Sequence, residues 1–540
     1  MTPTRAIGPA ALRELIIAGG ELALLDPREG GVFAAGHLLF AVSMPLSRLE
    51  FRIDGLVPRR DVAIVLCADA GDHDLITRSA SRLEAFGYTD VGFLEGGLAA
   101  WVEAGFEVFS GVNVPSKAFG EFIEATYQTP HISAIQLQVM VAGGENLVIL
   151  DSRPLAEYRR MNIPGGIDVP GGELVYRVHD IAPDPETTVV VNCAGRTRSI
   201  IGAQSLINAG IPNRVVALES GAMGWRLAGY GLERGRERSA PAPSVVGAAQ
   251  AAVRADAVAR RFGVPLVDHA TLADWRAEPG RTTYLLDVRD IGEYLAGHPA
   301  GAVHAPGGQL VQATDHYVAV RGARLVLCDN DGVRAKMTAS WLIQMGWREV
   351  HVLDGGMDGE DRESGPYRPR ILGLPAIEAD LVSVQELAAL LDAGEAVAAD
   401  LADSLSYYKG HIPGAWFVIR SRLPGNLAKL PDTRQLVLTS THGILPRLAA
   451  AEAAASGRRV KVLRGGTNAW IAAGLPLESG FSHMADKTDD RWYKPYDLEE
   501  EGDLAAMRAY LSWEVDLVGQ IERDGTARFE VYAEGGHTVA

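Results

Sequence analysis

Four signals recur in the same order four times along the chain, and this repetition limits the fold more than anything else in its 540 residues. The first is an apolar strand ending in an acid, usually with an arginine two positions on. It reads Leu25-Asp26-Pro27-Arg28, Leu150-Asp151-Ser152-Arg153, Leu286-Asp287-Val288-Arg289 and the weaker Ala399-Asp400-Leu401-Ala402. The second is a Gly/Pro turn, at Gly36-His37-Leu38, Ile163-Pro164-Gly165-Gly166, Gly297-His298-Pro299 and Gly410-His411-Ile412-Pro413. The third is a β-branched strand running into a loop, at Val65-Leu66-Cys67, Val191-Asn192-Cys193, Val326-Leu327-Cys328 and Val437-Leu438-Thr439. The fourth is a strand and glycine turn, at Leu94-Glu95-Gly96-Gly97, Leu218-Glu219-Ser220-Gly221, Leu353-Asp354-Gly355-Gly356 and Leu463-Arg464-Gly465-Gly466. From acid to loop the separations are 41, 42, 41 and 39 residues. Strands alternate with helical stretches inside each copy, which predicts an α/β fold of four tandem modules, each a parallel sheet with helices on both faces. Ligands of such sheets bind beyond the carboxyl ends of the strands, where the third signal ends.

The second copy of that signal is the chemically loaded one. Val189-Val190-Val191-Asn192 stops at Cys193, a loop with Gly195, Arg196 and Arg198 follows, and Ile200 to Leu206 reads as a helix. Strand, loop and helix aim backbone N–H groups and a helix N-terminus at the cysteine sulfur. With two guanidinium groups nearby, this predicts a thiol that ionises more easily than a free one. The competing reading is an inert, buried strand-end cysteine.

The net charge of −17 argues against a general nucleic-acid or anionic-membrane binder, so a basic loop in such a chain stands out. The three cysteines are widely separated, which argues against a disulfide framework or a multi-cysteine metal site and fits a reducing compartment. No apolar run approaches the length of a membrane span, and Met1-Thr2-Pro3-Thr4-Arg5 lacks a signal core; the expectation is a cytoplasmic protein.

Asp151-Ser152-Arg153, the Ile163 turn, Cys193-Ala194-Gly195-Arg196-Thr197-Arg198-Ser199 and Leu218 to Trp225 together resemble the rhodanese sulfurtransferase module. The resemblance covers most of residues 6–480 as four rhodanese-like domains. It implies catalysis through a persulfide on Cys193, cradled by the loop residues Ala194, Gly195, Arg196, Thr197, Arg198 and Ser199, with no cofactor or metal. Arg153 either assists binding or forms a structural ion pair with Asp151 or a loop carbonyl. The sulfur donor would be a small anion such as thiosulfate or 3-mercaptopyruvate, and the acceptor cyanide, a thiol or a protein. A sulfur-relay or protein-binding scaffold with little small-molecule turnover is the alternative.

The expected domains are 1–110 (inactive), 128–236 (catalytic), 265–370 (inactive), 380–480 (inactive) and a C-terminal helical appendage at 485–540. Cys67 precedes Asp69, Asp72 and Asp74, carboxylates expected to raise its pKa and repel an anion, and its loop looks longer. Cys328 is followed by Asp329 and Asp331, with Arg334 six residues on; that spacing formally matches a protein-tyrosine phosphatase loop, but the aspartates oppose a phosphate. Arg334 is expected at the surface. Thr439 offers no thiol. His37, His298 and His411 belong to the repeated turn and are expected to be structural. Three further segments are readable: 111–127 is too aromatic for a floppy linker, 247–262 is an alanine-rich helix, and 504–521 is a helix with apolar positions at Leu504, Met507, Leu511, Val515 and Val518.

Overall fold

The computed structural model describes residues 5–359, 361–374, 378–499, 502–532 and 538–539. In the second module five strands form one parallel sheet: β1 (His131–Ile132), β2 (Leu147–Asp151), β3 (Ile167–Asp168), β4 (Thr188–Asn192) and β5 (Val215–Leu218). Their order is β1-β5-β4-β2-β3. Every residue of β4 is buried, as a central strand covered on both faces must be. Its side chains divide by the two-residue pleat. Val189 and Val191 join a core with Leu206 and Val258, while Val190 joins another with Leu137 and Trp225. The chain turns one way after β2 and the other after β4, so the loops at the carboxyl ends of these neighbours diverge and leave a crevice. The same order recurs in the other three modules, so each is an α/β layer of the expected kind.

The modules are grouped in two compact bodies. One is built mainly from Leu24–Val112 and Pro369–Gly502, the first and fourth modules; the other mainly from Asn113–Arg368, the second and third, with the C-terminal helix. Within each body the partners meet through the turn after the second signal. In the second body this is a glycine contact: a Cβ on Gly172 would lie 3.0 Å from Gly308 N, and one on Gly308 3.0 Å from Gly171 N. In the first body the corresponding residues are Ser47 and Ser421, whose hydroxyls both donate to the buried Glu29 carboxylate at 3.0 and 2.7 Å.

Among the helices of the second body are α1 (Val114–Tyr127), α2 (Thr197–Asn208), α3 (Val245–Phe262), α4 (Val333–Gln344) and α5 (Leu504–Asp524). The aromatic segment is indeed ordered, with Phe119 of α1 fully buried and edge-on to Trp341 of α4. Helix α3 is capped by Ser244, whose side chain accepts from Gly247 N, and buries Ala251, Ala255, Val258 and Phe262 along one stripe. Helix α5 starts where expected, with Asp503 capping the amides of Ala505 and Ala506. Its buried line differs from the expected one: Met507, Glu514 and Leu517 face inward, while Leu504 and Val515 are exposed. A charged residue holds the inward position because a lysine waits there, a partner that apolar periodicity does not register. The turn histidines His37, His298 and His411 are buried and stack on Phe33, Tyr294 and Tyr407. Among the described residues no helix is long and apolar enough to cross a membrane.

Burial pushes Glu29 up from its ordinary 4.5 to about 7, against the opposing hydrogen bonds from Ser421 and Ser47 and the charges of Arg422 and Arg48. The folded chain therefore keeps this proton longer than the unfolded chain does. Stability from the group is fully present below about pH 4.5 and is lost as pH rises through about 7, by about 3 kcal/mol. Glu29→Gln should remove that part of the loss. Its melting temperature should match the parent near pH 4.5 and exceed it at pH 8 in paired thermal melts.

Candidate active site

The first signal builds the floor of the crevice. Arg153 grips Asp151 through Nε and Nη2 at 2.8 and 2.6 Å, and Nη2 also donates to Met161 O at 2.6 Å. Both side chains are buried, so removing either would leave an uncompensated charge at a cost of about 3–5 kcal/mol. Of the two readings of Arg153, the structural pairing is present, and it involves both Asp151 and a carbonyl. Ser152 then ties this floor to the loop above, its Oγ donating to Asn192 O at 2.9 Å and Arg198 O at 3.2 Å.

The loop from Cys193 to Ser199 runs into α2. Its carbonyls are held from below: Ala222 N donates to Cys193 O at 2.8 Å and Met223 N to Ala194 O at 2.9 Å. Among the described residues, the amides of Ala194, Gly195, Arg196 and Thr197 have no protein acceptor. The donors that the loop could offer an anion are thus left over by the fold. Gly221 has φ +51, and a Cβ there would lie 2.4 Å from Cys193 O, so only glycine fits.

Cys193 is 2% exposed, and its sulfur accepts from Ser199 Oγ at 3.2 Å, across the loop. The other two cysteines turn back to the sheet, Cys67 Sγ to Val65 O and Cys328 Sγ to Leu286 O. Burial, and then Asp26, push the Cys67 thiol far up. The responsible acid is therefore the buried strand-end aspartate rather than the loop aspartates, of which Asp69 is paired with Arg28 at 2.7 Å. The longer loop is visible too, since its helix starts at His73, six residues after the cysteine, where α2 starts four after Cys193. Cys328 is likewise pushed well up, by burial, Asp287 and Asp329.

In the third module the loop amides already have an anion. Asp329 accepts from Gly332 N at 2.5 Å through Oδ1, and from Arg334 N and Ala335 N at 2.8 and 3.1 Å through Oδ2. The corresponding residue of the second module is Ala194, which has nothing to place there. Arg334 is no surface residue: it is 0% exposed and pairs with Glu173 and Glu293, because its helix start faces the partner module. Thr439 of the fourth module meets Thr467 Oγ1 at 3.2 Å.

The electropositive loop expected from Arg196 and Arg198 is offset by carboxylates that local sequence does not reveal. Arg196 is chelated by Glu121 at 2.7 Å through both Nε and Nη2, and also pairs with Glu124. Arg198 pairs with Glu157 at 2.8 Å and donates to Gln309 of the third module at 3.1 Å. Thr197 is pinned by α1, since a Cβ on Gly120 would lie 2.7 Å from its Cγ2. The overlooked residues are Lys117, Glu121 and Glu124 on α1 and Tyr510 and Glu514 on α5. Helical spacing (117, 121, 124; 510, 514) places each set on one face, but nothing local says that those faces meet the loop.

The rhodanese-like domain family model matches residues 8–104, 133–228, 268–360 and 383–473. The chain belongs to the rhodanese family of sulfurtransferases. A solved thiosulfate sulfurtransferase from Pseudomonas aeruginosa is 49% identical, with a TM-score of 0.94 over 98% of this chain and 100% of that one. Thiosulfate sulfurtransferase GlpE of Actinobacillus pleuropneumoniae is 30% identical over 95 residues, 17% of this chain and 83% of its own length. The HTH-type transcriptional regulator Rv0324 of Mycobacterium tuberculosis is 29% identical over 213 residues, 37% of this chain and 86% of its own.

Gly221→Ala should cost about 1–3 kcal/mol, because φ is positive there and the added carbon meets Cys193 O. The loss would appear as a lower denaturation midpoint, accompanied by weakened activity as the loop shifts.

Proposed function

We propose that the second module carries the chemistry, as a sulfurtransferase that moves sulfane sulfur from thiosulfate or a similar anion through a Cys193 persulfide. The observation that supports this most directly is the direction of three sulfurs. Only Cys193 Sγ faces its loop, whereas the other two cysteines bond to sheet carbonyls and lie beside buried acids.

In the first half-reaction the Cys193 thiolate attacks the outer sulfur of thiosulfate. A new S–S bond forms, the old one breaks, and sulfite leaves with its electron pair. In the second, cyanide or a thiol takes the outer sulfur, and Cys193 recovers its thiolate. The intermediate is an anion, and the unengaged amides of Ala194 to Thr197 are suited to hold it, with the Ser199 hydroxyl on Sγ. Arg153 contributes by holding Asp151 and the Met161 carbonyl beneath the loop. The corresponding arginines of the first and third modules put Nη1 on Asp69 and Asn330, the loop residue two after the cysteine. In the second module that residue is Gly195.

Cys193→Ser should lower cyanide-dependent thiocyanate production by about a thousandfold or more, the scale of losing a nucleophile. Cys67→Ser and Cys328→Ser should stay near the parent rate. Mass spectrometry after thiosulfate treatment should show a gain of about 32 Da, one sulfur atom, on the peptide bearing Cys193. Undiminished turnover in Cys193→Ser would overturn the reading.

A further inference from the structure

The C-terminal helix brings a charged pair to the loop. Glu514 of α5 is 1% exposed, and its Oε1 is crowded: it takes Lys117 Nζ at 2.8 Å, Tyr510 Oη at 2.9 Å and Thr197 Oγ1 at 3.4 Å. Lys117 of α1 also donates to Tyr510 Oη and lies over the rings of Tyr510 and Trp513. The second carboxylate oxygen, Oε2, is buried with no hydrogen-bond partner among the described residues. It points at the loop, since a Cβ on Gly195 would lie 2.9 Å from it. A buried carboxylate oxygen without a partner is costly and calls for an explanation. Packing alone does not supply one, because a glutamine of the same shape would fill the site without the charge.

We propose that the Lys117–Glu514 pair sets the donor specificity of the second module, Glu514 holding a negative charge against the loop and Lys117 compensating it. This rests on the sulfurtransfer reading above. The surroundings carry the same message. Arg196 is already matched by Glu121 and Glu124, so the charges beside Gly195 and Thr197 decide how the loop receives a dianion. With both members present the loop relies on amide dipoles; removing one member leaves a full charge next to it.

The two substitutions must then act with opposite sign, which a purely structural role would not produce. Glu514→Gln should raise kcat/KM for thiosulfate about fivefold, and Lys117→Met should lower it by about the same factor. The double variant should return toward the parent value. A monoanionic thiosulfonate donor should feel about half the logarithmic change, because it carries half the charge. If Lys117→Met does not fold, Glu514→Gln and the double variant still complete the test. An unchanged or lowered kcat/KM in Glu514→Gln, or equal shifts for dianion and monoanion, would overturn the assignment. Cys193→Ser separates the failures: activity surviving there removes the sulfurtransfer reading itself. Activity lost there with an unmoved Glu514→Gln removes only the specificity role.

Discussion

In every module one backbone carbonyl presses on one glycine. A Cβ on Gly97, Gly221, Gly356 or Gly466 would fall 2.5, 2.4, 2.0 or 2.1 Å from the oxygen of Ala68, Cys193, Asp329 or Ser440. All four glycines have positive φ, so their backbone shape and the missing side chain serve the same contact. The contact welds the loop after the third signal to the turn after the fourth. Once it is made, the loop sits at the carboxyl end of the central strand. The strand order opens the crevice, and this contact fixes where in it the cysteine loop lies.

On this common frame the modules differ in what answers the loop amides. In the third, Asp329 supplies a carboxylate from within the loop, and burial holds it up at about 6 despite Arg334 and the amides that favour its charge. In the first, the helix begins later and Asp69 engages Arg28. The second has alanine and glycine at the two positions after its cysteine, and the amides from Ala194 to Thr197 have no acceptor among the described residues. Its loop is distinguished by side chains that are absent as much as by the thiol that is present.

Charge around the second loop is balanced by distant residues. Arg196, Arg198 and Lys117 face Glu121, Glu124, Glu157 and Glu514, so the basic appearance of the loop in one dimension is cancelled in three. An exposed pair of this kind would be screened and worth little. Here Lys117 and Glu514 are both buried, and their field acts on the loop through little water.

The sequence alone determined the repeat, the parallel α/β modules, the glycine turns and the cysteine at a strand end before a helix. These rest on short-range patterns, namely a two-residue pleat, a helical period and a residue that needs positive φ, and a few neighbours suffice to write them. The tertiary structure decided which sulfur faces its loop, which carboxylate occupies a cradle and how the modules pair. It also turned the buried face of α5 from an apolar line into one carrying Glu514. Lys117 and Glu514 are 397 residues apart, and Thr197 and Glu514 are 317 apart. Charges compensate through space, and no local pattern records a partner that arrives only when the chain has closed on itself.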